Sequence, residues 1–243
     1  MQITTVLFDM GGTLLGYEQR AKMGFPFTNA MSAVGLDPAD PAVVDARQRA
    51  AEEVERRYAA LDAFIHRDLF RERVALTARL MGVTMPDAVL DVYDIEQRRA
   101  VVEFLTPMPG VHDMLRALRE RGLYVAVVSN ADDDYLEPVL ARNGITELLD
   151  DWTSSEEAAS CKPHGRIFDY SLAKARRTAA ETLFVGDSPE HDVAGSRRAG
   201  MRSALISEPG RVAPLSTGLE AAEPDWRIRE LLELVDIIDR TNS

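Results

Sequence analysis

The strongest constraint on how this chain folds is a set of short apolar runs, each ending in small or acidic residues. Val6-Leu7-Phe8 precedes Asp9, Tyr124 to Val128 precedes Ser129, Leu183-Phe184-Val185 precedes Gly186-Asp187, and Ser203 to Ile206 precedes Ser207. Runs this short, with β-branched content and polar ends, read as strands buried on both faces, the pattern of a parallel sheet. Helix-like segments separate them: Val111 to Arg121 closed by Gly122, Tyr135 to Arg142 closed by Asn143-Gly144, and Pro163 to Arg177. The alternation predicts an α/β fold with a doubly wound parallel-sheet core.

Between Leu15 and Leu105 the alternation stops and helical periodicity takes over. It runs through Val43, Val44 and Ala51 to Tyr58, then Leu69 to Met81, then Ala88 to Leu105. Asp40-Pro41 and Met85-Pro86-Asp87 have the form of helix starts, where proline is tolerated in the first turn. An α-helical lobe of residues 16–105, inserted after the first strand, is the simplest account, with residues 1–15 and 106–243 forming the α/β core. The crossings near Gly16 and Pro107 to Pro109 would be its hinge.

The 243 residues suit one large domain or a core with a second lobe. With 46% hydrophobic and 28% charged residues the chain is of ordinary globular composition, which excludes intrinsic disorder. A net charge of −12 repels nucleic-acid phosphates and anionic lipid, so neither is an expected partner. Cys161 is the only cysteine, which rules out an internal disulfide or a thiolate metal site and fits a reducing compartment. No apolar run is long enough to span a bilayer. Met1-Gln2-Ile3-Thr4-Thr5 lacks the pattern of a secretory signal, so the expected location is cytoplasmic, as a monomer or homodimer.

Open α/β sheets bind ligands beyond the carboxyl ends of their strands. Here those ends read Asp9-Met10-Gly11-Gly12-Thr13, Ser129-Asn130 and Gly186-Asp187-Ser188-Pro189-Glu190-His191-Asp192, and Lys162 stands at an expected helix start before Pro163. Singly, each has an innocent reading: a turn-forming aspartate, a helix cap, a solvated lysine, a plain Gly-Asp turn. Together, in this order and spacing, they resemble the four motifs of the haloacid dehalogenase-like hydrolase superfamily. The helical insertion resembles that family's cap domain, and the likeness extends to Glu223-Pro224-Asp225-Trp226 before a last helix. It implies a Rossmann-like core with an inserted α-helical cap domain closing over the crevice to exclude water.

The resemblance implies that Asp9 is a nucleophile forming an aspartyl-phosphate, which divides one hard displacement into two. Gly11, Gly12 and Thr13 would let backbone amides approach an anion. Ser129 and the amide of Asn130 would bond the phosphoryl oxygens, and Lys162 would supply positive charge to them and to Asp9. Lys22, Lys162 and Lys174 are the only lysines among 28 basic residues. Asp9, Asp187 and Asp192 would converge, and two like charges ~4 Å apart repel by about 4 kcal/mol at an effective dielectric near 20. A dianionic substrate there requires a cation, and oxygen ligands beside phosphate point to Mg²⁺. By resemblance the ion takes Asp9, the Gly11 carbonyl and Asp187, with Asp192 behind them. The expected substrate is a small phosphorylated metabolite.

One position departs from the family. Its phosphatases carry a second aspartate, the general acid and base, where this chain has Gly11. Such catalysis is worth about 10²–10⁴-fold. Three explanations stand open. The substrate has a good leaving group, such as an acyl phosphate or phenolic ester; or another group stands in, with Tyr17, Glu18 and His191 as candidates; or the protein is a slow or lapsed enzyme that binds an anion. Haloacid dehalogenases use the same aspartate on carbon without metal, and phosphonatases need a cap lysine, for which Lys22 is the lone candidate in the insertion. Met23, Phe25, Phe27 and Met31 read as packing or as a specificity wall. Asp132-Asp133-Asp134 reads as helix capping, Cys161 as buried filler, and Arg47 to Arg57 as a solvated helix face. Of the four histidines only His191 is expected near the site.

Overall fold

The computed structural model describes residues 2–19, 21–206, 215–216 and 218–243; Met1 and Ser207, cited above, lie outside them. The chain begins with strands β1 (Thr5–Phe8) and β2 (Leu15–Gly16), followed by helices α1 (Phe25–Ala33), α2 (Pro41–Tyr58), α3 (His66–Leu80) and α4 (Asp87–Phe104). It continues through β3 (Thr106–Pro107), α5 (Val111–Glu120), β4 (Tyr124–Ser129), α6 (Asp133–Arg142), β5 (Asp151–Ser154), α7 (Ser155–Ala158) and α8 (Gly165–Ala175). The last elements are β6 (Thr182–Gly186), α9 (Gly195–Arg198), β7 (Arg202–Ile206), β8 (Trp226–Ile228) and α10 (Glu233–Asn242).

Six strands form one sheet in the order β5-β4-β1-β6-β7-β8, with every pairing parallel. Side chains alternate across it as the pleat requires. Val6 and Phe8 face a layer built with Leu115 of α5, Leu140 of α6 and Ile238 of α10, whereas Leu7 faces Phe168 and Leu172 of α8. The sheet is thus covered on both sides, which is why its central strands read as continuous apolar runs. From β1 the chain builds outward to β4 and β5, then returns to the other side for β6 to β8. The order reverses between β1 and β6, and the crevice at such a reversal is where doubly wound sheets bind ligands.

The four expected strands are four of the six in this sheet; the sequence pattern does not mark the other two. Strand β5, Asp151-Trp152-Thr153-Ser154, is an edge with no apolar run, and β8 is a three-residue edge. Edge strands need only one buried face, so hydropathy marks them weakly.

Helices α1 to α4 build a core of their own, with Phe27, Met31, Val43, Val74, Leu90 and Tyr93 in one cluster and Ala50, Val54, Leu69 and Leu76 in another. Helix α2 starts as expected: Pro41 occupies the first turn and the Asp40 carboxylate accepts the Ala42 amide at 2.8 Å. The lobe is entered and left through an antiparallel pair, Leu15 opposite Pro107 and Gly16 opposite Thr106. Among the described residues no helix is long and apolar enough to cross a membrane.

Candidate active site

Strand β1 delivers Asp9 to the switch point. Its amide donates to the Val185 carbonyl at 2.9 Å, continuing the β1–β6 ladder by one residue. The chain then turns sharply around the Met10 carbonyl, which accepts the amides of Thr13, Leu14 and Leu15. Gly12 sits at φ +93°, a conformation that favours glycine. Its amide donates to the Leu15 carbonyl at 2.6 Å, and Thr13 is fully buried, its hydroxyl donating to Asp9 Oδ2 at 3.3 Å. This corrects the anion-cradle reading of these two residues: the Gly12 and Thr13 amides close the turn, and the Thr13 side chain orients Asp9.

The Lys162 ammonium lies between two carboxylates, donating to Asp9 Oδ1 at 2.6 Å and to Asp192 Oδ1 at 2.7 Å. All three groups are buried. Burial raises the Asp9 carboxyl above its ordinary value; Lys162 opposes that shift and Asp192 adds to it. Burial also works to discharge Lys162, but Asp192 and Asp9 outweigh it and hold the ammonium above its usual range. Asp192 is fully engaged, because its Oδ2 accepts the Ser188 amide at 3.0 Å. Gly186 makes this geometry possible: a Cβ there would overlap the Asp192 carboxylate.

Lys162 is not on a helix, correcting the expected placement: α8 begins only at Gly165, and Lys162-Pro163 is a cis peptide in the preceding loop. Asn130 clamps that loop. Its Oδ1 accepts the Lys162 amide at 2.7 Å and its Nδ2 donates to the Lys162 carbonyl at 3.0 Å. The same carbonyl lies 3.1 Å from His191 Nδ1, and since a carbonyl only accepts, that nitrogen carries the proton. The Asn130 side chain thus holds the Lys162 backbone in place, and the residue lines the crevice. Ser129 is buried on the cavity wall, and its hydroxyl bonds to none of the described residues.

Asp9, Asp187 and Asp192 each present an oxygen within 4.8 Å of the others. This hard-oxygen set, three negative charges against one ammonium, suits a small divalent cation such as Mg²⁺. Both oxygens of Asp192 accept hydrogen bonds, from Lys162 and the Ser188 amide, as do both of Asp9, from Lys162 and the Thr13 hydroxyl.

The crevice opens into a cavity of about 910 Å³ that extends under the helical lobe. Phe27 of α1, Arg47 and Glu55 of α2, Arg73 and Thr77 of α3, and Tyr93 of α4 line its far side. The Arg47 guanidinium lies 4.1 Å from the centre of the Phe27 ring, and Arg73 reaches Glu55 at 3.4 Å. The Tyr93 hydroxyl bonds to none of the described residues, and burial raises its pKa. Residues 47–57 present a largely exposed face as expected, Arg47 included, while the half-buried Glu55 and the exposed Arg47 also line the cavity. His66 also lines the cavity, which periodicity gave no means of seeing.

Several other readings resolve. Lys22 is exposed and bonds Gln19 Oε1 at 3.0 Å, away from the cavity. Cys161 is buried, which raises its pKa, so it is filler as expected. Met23 and Phe27 line the cavity, while Phe25 packs edge-on against Phe104. Asp132 caps a helix, but not its own: its carboxylate accepts the amides of His66 at 2.7 Å and Arg67 at 2.8 Å, the first turn of α3. A core residue thereby fastens the lobe.

Gly11 lines the cavity beside Asp9, and a Cβ on it would overlap the Tyr17 hydroxyl oxygen and come within 3.4 Å of Tyr17 Cζ. Glu18 also lines the cavity, but its carboxylate covers Gly16 and accepts the Thr106 hydroxyl at 2.6 Å.

Comparison with known proteins bears on the family and the fold. A family model described as haloacid dehalogenase-like hydrolase matches residues 3–200. The chain is 30% identical over 140 residues to the pyrimidine 5′-nucleotidase YjjG of Escherichia coli, a match covering 57% of this chain and 60% of that protein. It is 28% identical to the ribulose-1,5-bisphosphate 5-phosphatase of Halopiger xanaduensis, covering 97% of this chain and 99% of that one. Among solved structures it superposes on YfnB of Bacillus subtilis, assigned as a HAD-hydrolase and bound to magnesium, with a TM-score of 0.75 and 19% identity, covering 98% and 100% of the two chains.

Proposed function

The chain belongs to the haloacid dehalogenase-like hydrolases, and from that premise we propose that it is a Mg²⁺-dependent cytoplasmic phosphatase acting on a small phosphorylated metabolite through an aspartyl-phosphate on Asp9. Residues 16–105 would be the cap over a core of residues 1–15 and 106–243. The observation that carries the reading is the buried Lys162 ammonium bound to Asp9 and Asp192, with Asp187 completing the carboxylate cluster. A lone carboxylate nucleophile would repel a phosphate dianion, and these groups offset that repulsion. Lys162 neutralises part of the charge and holds Asp9 in one orientation, helped by the Thr13 hydroxyl. Ser129 faces the cavity with its hydroxyl available to a phosphoryl oxygen. Asp9 and Asp187, with the Gly11 carbonyl, would hold Mg²⁺ while Asp192 keeps Lys162 in place. When bound, the ion supplies positive charge to an anionic phosphoryl group. Relatives named as phosphatases of a nucleotide and a sugar bisphosphate support the reaction class.

The two sister chemistries fit less well. Asp187 beside Asp9 adds negative charge where a haloacid's carboxylate would have to sit. The imine chemistry of a phosphonatase needs a cap lysine at the site, and Lys22 points elsewhere. A panel of phosphate esters and acyl phosphates tests the proposal. Turnover should vanish with EDTA, return with Mg²⁺, and be lost in Asp9→Asn. Metal-independent chloride release from a 2-haloacid, or an active Asp9→Asn protein, would overturn it.

A further inference from the structure

We propose that Tyr17 is the general acid and base of this reaction, working from the space that Gly11 leaves by having no side chain. The proposal rests on the reading of Asp9 as the phosphoryl acceptor. Residue 11 lies two positions beyond Asp9 on the wall of the same cavity, so a side chain there would project beside the phosphoryl group. The tip of the Tyr17 phenol fills that volume, with the hydroxyl oxygen nearest the missing Cβ and the ring carbon Cζ behind it at 3.4 Å. The hydroxyl is therefore the reactive end presented at this point.

The chain geometry explains why Tyr17 reaches it. Tyr17 directly follows β2, whose pairing with β3 fixes the backbone on the sheet side of the lobe. Glu18, the next residue, folds back over Gly16 and accepts the Thr106 hydroxyl, which leaves Tyr17 to face Gly11. Three neighbouring groups that could move a proton are already engaged. Glu18 is tied to Thr106, His191 spends Nδ1 on the Lys162 carbonyl, and Lys162 is held by two carboxylates. At 38% exposure Tyr17 also keeps contact with water.

The steps balance. As an Asp9 oxygen bonds to phosphorus, the phosphorus–oxygen bond to the alcohol breaks, and the departing oxygen takes the Tyr17 hydroxyl proton. The products are the free alcohol, the aspartyl-phosphate and a Tyr17 phenolate. The phenolate then removes one proton from a water molecule whose oxygen attacks phosphorus. The Asp9 carboxylate is released, phosphate leaves, and the phenol is restored.

Tyr17→Phe keeps the ring and removes only the proton, so its signature is dependence on the leaving group. For an alkyl phosphate such as butyl phosphate, kcat/KM should fall about 10²-fold or more, within the range typical of general acid–base catalysis. The burst of p-nitrophenol from p-nitrophenyl phosphate, whose leaving group needs no proton, should change by less than about fivefold on the same reasoning. A second comparison uses the vacated space. Gly11→Asp in the otherwise unchanged chain collides with the Tyr17 hydroxyl and should not raise alkyl phosphate turnover. The same change combined with Tyr17→Ala should recover at least about tenfold over Tyr17→Ala alone, because a carboxylate then replaces the phenol. Equal losses on both substrates in Tyr17→Phe, unchanged alkyl phosphate turnover, or no rescue in the double variant overturns the assignment. Asp9→Asn is assayed in parallel. If it is inactive while Tyr17→Phe behaves as the unchanged protein, only Tyr17 falls; if it remains active, the phosphatase reading falls and takes Tyr17 with it.

Discussion

The contact between Asp132 and helix α3 gives the sharpest stability prediction. Helix α3 has no side-chain cap of its own, since its N-cap residue is Ile65. Its first two amide donors are instead satisfied by the Asp132 carboxylate at 2.7 and 2.8 Å, reaching across from the core. His66 Nδ1 stands 3.5 Å from the same carboxylate. Asp132→Ala leaves two amides in a site where Asp132 itself is only 1% exposed. Losing a helix cap costs about 0.5–2 kcal/mol, and each stranded buried donor adds about 1–3. After partial relaxation we expect about 2–4 kcal/mol, or about 5–12 °C in Tm for a chain of this size. Asp132→Asn keeps one acceptor and should lose about half as much. Asp134→Ala is the control: its partners Arg67 and Arg98 are 3.7 and 3.6 Å away and exposed, so it should cost under about 1 kcal/mol. The pH dependence follows from the same contacts. Burial works to raise the Asp132 pKa, but the His66 side chain and the amides of His66 and Arg67 hold it below the ordinary carboxylate value. The carboxylate therefore contributes its full stability above the unfolded pKa and loses it as pH falls through the lower folded one. Urea denaturation of the three variants at pH 7 and at pH 3 measures both effects. An Asp132→Ala protein within 1 kcal/mol of the parent at pH 7, or as large a loss in Asp134→Ala, refutes the reasoning.

Two further perturbations probe the site. Gly186→Ala places a methyl group on a carboxylate pinned by Lys162 and the Ser188 amide, so it should cost about 1–3 kcal/mol by overpacking and more than about tenfold in kcat; unchanged Tm and turnover would contradict this. Arg73→Met removes a cation from the far side of the cavity, so KM for phosphate esters carrying a second anionic group should rise about tenfold or more while phenyl phosphate is unaffected. Equal effects on both substrates would deny Arg73 a part in recognition.

Strand content was legible where burial on both faces demanded it. Val6-Leu7-Phe8 and Leu183-Phe184-Val185 sit at the sheet centre and could be little else, whereas Asp151-Trp152-Thr153-Ser154 lies at an edge and reads as loop. The residues of the candidate site were legible as types in order, because a crevice at the sheet's switch point gathers the carboxylate, hydroxyl and ammonium groups that follow the strands. Their division of labour was not. That Asn130 holds a lysine backbone, or that Gly12 and Thr13 turn their amides inward, depends on turn geometry that residue types do not encode. Arg47 and Glu55 were hidden because a charged helix face has the same periodicity whether it meets water or a cavity. The Asp132 cap was hidden because its helix is sequence-distant. Tyr17 was visible only as a name among three, since its claim rests on the space next to Gly11.

The central claim, that Asp9 accepts the phosphoryl group, has a direct chemical test. The protein is mixed with acetyl phosphate and Mg²⁺, quenched in acid during turnover, and reduced with borohydride, which converts an aspartyl-phosphate to homoserine. Peptide mass spectrometry should find homoserine at position 9 and nowhere else. Sustained phosphate release with residue 9 recovered only as aspartate, or phosphate on any other side chain, would contradict the account.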